Sequence, residues 1–243
     1  MTKTQNNKNF RNPAIIPPQA DSQGHPSACT RRDTPYKISE TLTVSALLAV
    51  TGGILDAYTY LFRGKVFANG QTGNLVLLGL SASQGNWKKA GYYILPILSF
   101  LLGVLAAELI RIYVSNDGII KWRHVILSTE IGILALSLFL PQGSWDKAVI
   151  IGISFVCALQ TQSFRSLKGK PYISVMCTGN LRSAASEISL YGQKRDIKHL
   201  KNAWDYIFIV LCFIGGAFIG AVIGLLPAIL LLSIVMILLF TKS

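Results

Sequence analysis

Charges leave long stretches of this chain empty, and that restricts the fold more than any motif does. Apolar segments run over about Leu42–Phe62, Ala90–Tyr113, Val125–Leu140, Ala148–Phe164, Ala203–Leu225 and Pro227–Phe240. The longer of these segments match the thickness of a bilayer's hydrocarbon core, and the last is short. Inside hydrocarbon, every backbone N–H and C=O must find a partner within the protein, so such segments form helices or close into barrels. Runs of this length and composition predict helices, and the fold class expected is all-α and polytopic. Composition agrees: 14% of the 243 residues are charged, against about 25% for a soluble domain. The formal net charge of +12 does not point to nucleic acid, because the basic residues gather at the ends of the apolar runs, where the positive-inside rule puts them. Membrane lipids with anionic headgroups are the expected partner.

A repeat is superimposed on these runs. Phe67-Ala-Asn-Gly-Gln-Thr-Gly-Asn-Leu-Val returns in altered form as Val175-Met-Cys-Thr-Gly-Asn-Leu-Arg, which places Thr72-Gly73-Asn74 and Thr178-Gly179-Asn180 106 positions apart. One unit used twice is the natural reading. It predicts repeat one over about 42–140 and repeat two over about 148–240, within a single membrane domain at 41–243. Each repeat would hold three transmembrane helices and one broken or re-entrant Thr-Gly-Asn segment. Residues 1–40 are rich in Asn, Gln, Thr and Pro and are expected to be a disordered cytoplasmic tail. The four tryptophans, Trp87, Trp122, Trp145 and Trp204, fall near span boundaries, as an aromatic belt requires.

Charge also bears on the number of crossings. If both Thr-Gly-Asn segments re-enter, six helices cross, both termini are cytoplasmic, and twelve basic residues outside the tail lie inside against five outside. If both segments cross, the count is nine against eight. The positive-inside rule favours six. Three crossings per repeat is an odd number, so the second repeat is inserted upside down relative to the first, an arrangement common among secondary transporters.

The polar residues inside this frame are the candidate site. Thr72, Gly73 and Asn74, with Asn69 upstream, and Thr178, Gly179 and Asn180 offer hydroxyls, amides and a close backbone approach. They are the expected substrate-binding set, together with Gln160; the counterpart of Asp56 in the second repeat is Gln160 or Gln162. The alternative for these residues is helix capping and packing without a ligand. Asp56 stands in mid-span and Glu130 has no evident local partner; acids there are costly and usually paired or functional, so both are candidates for proton or cation coupling. Glu108 is expected to pair with Arg111 at i+3, and Glu187 with Arg182 or Lys194. Gly216, Gly220 and Gly224 form a small-residue face suited to close helix contact, within the chain or in a homo-oligomer.

The four cysteines and three histidines show no metal-ligand spacing, and no histidine falls inside an expected span. No phosphate-binding loop, dinucleotide fingerprint, zinc motif or nucleophile elbow is present. The chain is therefore expected not to be an enzyme, and no metal or other cofactor is expected.

Gly52-Gly-Ile-Leu-Asp-Ala-Tyr-Thr-Tyr, followed by Val66-Phe-Ala-Asn-Gly-Gln-Thr-Gly-Asn-Leu-Val-Leu-Leu-Gly, resembles the YoaK family of small bacterial inner-membrane proteins. The likeness extends over about Leu42 to Phe240, with Leu159-Gln160 and Thr178-Gly179-Asn180 as the second element and Thr161 where the family pattern has Asn. It implies a multi-pass protein of the bacterial inner membrane and supplies no substrate. The function expected from the architecture is a small secondary transporter or channel-like permease for an unknown small solute or ion. The alternative is a membrane scaffold or lipid-interacting protein whose breaks only pack helices.

Overall fold

A computed structural model describes residues 37–114 and 121–241. The disorder expected over 1–40 falls, as far as residue 36, outside the described residues; Ile38–Glu40 form a 3₁₀ turn. Eight helices follow among the described residues: α1 (Leu42–Phe62), α2 (Gln71–Ser83), α3 (Trp87–Tyr113), α4 (Trp122–Phe139), α5 (Asp146–Ser163), α6 (Cys177–Lys194), α7 (Ile197–Ile223) and α8 (Leu226–Thr241). A two-stranded hairpin, β1 (Ser166–Leu167) and β2 (Lys170–Pro171), separates α5 from α6.

Local chemistry sets the helix ends. Thr41 caps α1, its hydroxyl accepting the Val44 N–H at 3.4 Å and donating to the Ile38 carbonyl at 2.8 Å. Asn86 and Asp196 cap α3 and α7 in the same way. Gly64 and Lys65, both at positive φ, reverse the chain after α1, and Lys168-Gly169 do so in the hairpin. Trp87 and Trp122 open α3 and α4, Trp145 is the N-cap of α5, and Trp204 lies in the second turn of α7. The helices begin somewhat earlier than the apolar runs suggest, so His124 and His199 lie in the first turns of α4 and α7, not outside the spans.

Packing pairs the two halves with each other. The most extensive contacts join α1 to α7, α3 to α5, α6 to α7, α2 to α3, α4 to α5 and α1 to α8. Exchanging α1–α4 for α5–α8 converts each of these pairs into another of the six. Glycines make the closest contacts possible. A Cβ on Gly216 would lie 2.1 Å from the Val50 carbonyl oxygen, and one on Gly220 2.6 Å from that of Ile54. The numbers rise together on both helices, so α1 and α7 run parallel. Gly103 meets Phe155 and Ala158 of α5 in the same manner. The small-residue face of α7 is therefore filled by α1 of the same chain, and Gly224 is only the C-cap of α7. A homo-oligomer through Gly216 and Gly220 would have to displace α1.

The helix ends form two groups. At one end the Arg63 guanidinium, 3% exposed, donates to the carbonyls of Ser137, Leu140 and Pro141, to Asp146 Oδ1 at 3.2 Å and to the Tyr58 hydroxyl at 2.8 Å. It joins the C-termini of α1 and α4 to the start of α5, and Tyr92 near the start of α3 donates to the Arg63 carbonyl. At the other end, Arg123 donates to the Ser163 carbonyl at 3.2 Å, Lys168 N–H to the Glu40 carbonyl at 2.8 Å, and His124 stacks near Phe240 at 4.1 Å. The starts of α1 and α4 and the ends of α5 and α8 gather there.

Among the described residues four helices are long and apolar enough to cross a membrane by length and composition: α1, α3, α4 and α7. Six such spans are expected from the sequence. The polar ends of α5 (Asp146, Lys147, Gln160, Gln162) and the 16 residues of α8 account for the difference. The outer helices α3 and α7 expose leucine, isoleucine and phenylalanine, including Leu102, Leu105, Leu211 and Phe218. A face of this kind suits lipid.

Candidate functional site

Each Thr-Gly-Asn triplet occupies the second to fourth residues of a helix, α2 or α6. The interruption in the helical course lies just upstream, in the loops 63–70 and 172–176, rather than at the triplets themselves. The reason is visible in the asparagines. Asn74, fully buried, accepts the Phe67 N–H through Oδ1 at 2.9 Å, and donates through Nδ2 to the Phe67 carbonyl at 2.7 Å and to Gln71 Oε1 at 2.9 Å. Asn180 donates to the Ile173 carbonyl at 2.9 Å. Both reach back seven residues and pin the incoming loop to the helix that follows. Gly73 makes room for the Phe67 ring, since a Cβ there would lie 2.8 Å from Cδ2, and that ring stacks on Tyr60 at 4.8 Å. Thr72, Thr178 and Gly179 face outward, exposed.

The two loops converge on α1. Asn69 donates its backbone N–H to Asp56 Oδ1 at 2.7 Å and its side-chain amide to the Gly52 carbonyl at 3.3 Å. The backbone of Ala68 and Gly70 also faces the Asp56 carboxylate, so the acid sits against the N-terminal end of α2, where a helix favours negative charge. From the other half, Val175 lies over the same glycine: a Cβ on Gly52 would meet Val175 Cγ1 at 2.3 Å. Gln160 of α5, 2% exposed, donates to the Leu48 carbonyl at 3.2 Å and to Ser174 Oγ at 3.5 Å. Its Oε1 is buried without a partner among the described residues. Asp56, Asn69, Gln160 and Ser174 thus surround the point where the loops meet α1.

Glu130 differs from the rest. It is fully buried in α4, and among the described residues neither carboxylate oxygen has a hydrogen-bond partner. Cys157 of α5 lies close enough to both Asp56 and Glu130 for either charge to act on it. Ser154 and Thr161, on the same stripe of α5 as Cys157, also carry buried hydroxyls without partners among the described residues.

Glu108 and Glu187 are each held by several partners. Glu108 pairs with Arg111 at 3.2 Å, as the spacing predicts, and also with Arg165 and Gln162. Glu187 pairs with neither Arg182 nor Lys194. It accepts from Lys170 of the hairpin and meets His199 and Asn202 of α7. Burial works to raise this carboxyl, and those hydrogen bonds outweigh it, leaving Glu187 below the usual glutamate range. Arg182 lines a recess of about 240 Å³ with Tyr172, Ile173, Met176 and Asn180. Among the described residues no group of histidines, cysteines and acids could hold a metal ion.

Sequence reasoning missed three contributors. Arg63 reads as a loop charge, and nothing in its neighbourhood announces five partners. Ser174 carries no motif. Gly52 stands beside Gly53 in a long span, which is the one legible sign that something approaches α1 closely.

Residues 44–241 match the family described as "Protein of unknown function (DUF1275)". The chain belongs to the DUF1275 family. It is also similar to the UPF0700 transmembrane protein YoaK of Bacillus subtilis (strain 168), at 28% identity over 190 residues, 74% of this chain and 82% of that protein. No solved structure matches. This DUF1275 chain is thus an all-helical membrane protein, and the resemblance read from Gly52–Tyr60 and Val66–Gly79 holds.

Proposed function

We propose that this protein is a small permease of the bacterial inner membrane. Its polar junction at Gly52, formed by Asp56, Asn69, Gln160 and Ser174, is the solute site, and Glu130 couples movement to a proton or cation. The observation that carries this reading is Glu130. Burying a carboxyl with no hydrogen-bond partner is costly, and a leucine would pack the same place better. An intramembrane acid retained at that cost is a functional group by default.

The architecture proposed with it is six crossings in two repeats of opposite orientation, with both termini cytoplasmic. Three contacts support it. Loop 63–70 descends from the end of α1 to Gly52, ten residues back, about 15 Å along the helix and half of a core about 30 Å thick. The 13 residues of α2 then span about 20 Å, and α3 starts again beside Arg63. On the other side the loop after the hairpin reaches the same glycine through Val175, while the third turn of α7 lies against the hairpin, Tyr206 donating to the Pro171 carbonyl at 3.2 Å. Each segment leaves and returns at one end, the two from opposite ends.

Within the expected substrate-binding set, the amides of Asn74 and Asn180 are spent on their own loops, which moves the proposed contacts to Asn69 and Gln160. The same clamps are what favours the second reading, a lipid-interacting scaffold. Proteoliposomes holding a pH-sensitive dye separate the two. Wild type is expected to move protons under a gradient of at least one solute class, and Glu130→Gln to cut that flux at least tenfold. A wild type inert to cations, anions and neutral solutes alike, or a Glu130→Gln variant with full flux, overturns the permease.

A further inference from the structure

Where α1 and α4 begin and α5 ends, a recess of about 130 Å³ is lined by Arg111, Arg123 and Arg165, with Trp122, Phe164 and Glu40. The three guanidinium groups come from three elements, the end of α3, the start of α4 and the loop after α5. Each is held in place. Arg123 stacks over Trp122 at 4.6 Å and lies 5.8 Å from the centre of the Phe164 ring, and its Nε is spent on the Ser163 carbonyl. Arg111 and Arg165 grip Glu108 at 3.2 and 3.7 Å, and each side chain stays half exposed. A guanidinium carries five donors, so every one of the three keeps N–H groups beyond these contacts.

Three cations against Glu40 and Glu108 leave one positive charge, the complement of a phosphodiester. The volume is that of about four waters at ~30 Å³ each, enough for a phosphate group. Beside Arg111, the end of α3 exposes Leu109, Ile112 and Tyr113, at 53%, 70% and 82%, an apolar surface leading away from the recess. We infer that this recess binds the phosphodiester headgroup of an anionic phospholipid, with the acyl chains lying along the end of α3. The inference does not depend on transport.

Native mass spectrometry of the purified full chain tests it, with phosphatidylglycerol against phosphatidylcholine and with glycerol phosphate as a soluble competitor. The expected result is retention of phosphatidylglycerol over phosphatidylcholine. Arg111→Gln and Arg165→Gln should each reduce it about fivefold, while Lys88→Gln and Lys89→Gln, at the opposite group of helix ends, leave it unchanged. The two exposed arginines are chosen because Arg123→Gln also removes the bond to Ser163. Displacement by glycerol phosphate supports recognition through the phosphate. Binding of glycerol phosphate without retention of phosphatidylglycerol overturns the lipid as its source. Retention equal for both lipids, or unchanged in both arginine variants, overturns the site.

Discussion

Thr72 and Asn74 stand two positions apart in one motif and do different work. Thr72 is exposed, whereas the Asn74 amide makes three hydrogen bonds in a sealed environment. Removing a partner from buried donors and acceptors costs about 1–3 kcal/mol, and an exposed substitution about 0.5 kcal/mol or less. Asn74→Ala is therefore expected to destabilise by about 2 kcal/mol and Thr72→Ala hardly at all, read from thermal unfolding in detergent; equal losses would refute the clamp. Arg63 presents a stronger case, because truncating one partner of a buried pair costs about 3–5 kcal/mol. Arg63→Gln should lower the unfolding temperature further than Lys65→Gln, its exposed neighbour. The motif was legible as important, but its role was not. A sequence places an asparagine near a glycine without saying whether the amide faces a solute or the backbone seven residues upstream. Arg63 was opaque for the same reason, since four of its five partners lie 74 to 83 residues away.

At the scale of elements, apolar runs predict helices well because hydrocarbon leaves the backbone no alternative. Six of the described helices, α1, α3, α4, α5, α7 and α8, lie within about six residues of the expected apolar segments, and α2 and α6 begin at the two Thr-Gly-Asn segments. The hairpin at 166–171 was not legible, being four paired residues around Lys168-Gly169. The small-residue face of α7 was legible as a contact surface, and only the fold says which helix it meets. That contact makes a prediction. Gly216→Val drives a side chain into the Val50 carbonyl and should separate α1 from α7, abolishing monodisperse protein, whereas Gly215, with nothing within 4 Å of an added Cβ, should accept alanine and gain up to about 1 kcal/mol of helix propensity. The hairpin is clipped to α6 and α7 through Glu187. Because this carboxyl titrates lower in the folded than in the unfolded chain, its contribution is present above the unfolded value and is lost as pH falls through the folded one. Stability of wild type should drop below roughly pH 4 more steeply than that of Glu187→Gln. Parallel profiles would show that the clip carries no weight.

For the whole molecule, the proposed six crossings turn on where the chain surfaces. Charge alone cannot decide this, because Arg63, counted among the outside basic residues, is buried with Asp146 and neutralised there. The contacts are more decisive. Arg63, Tyr92 and Asp146 share one group of helix ends; Glu40, Arg123, Ser163 and Phe240 share the other. If α2 and α6 both re-enter, Gln84–Asn86 and Gly143–Ser144 lie on one side of the membrane and Lys194–Asp196 on the other. A fully crossing α2 would instead put Gln84 on the side opposite Arg63. Single cysteines at Gln84, Ser144 and Gln193, in a chain stripped of its four native cysteines, separate these cases with a thiol reagent that does not cross the bilayer. In intact cells, positions 84 and 144 should react and 193 only after lysis. Reaction of 84 and 144 only after lysis, like 193, would make α2 a full span, because α3 and α4 return the chain to the side of 84; it would remove the opposite orientation of the repeats, and with it the architectural argument for a site at Gly52.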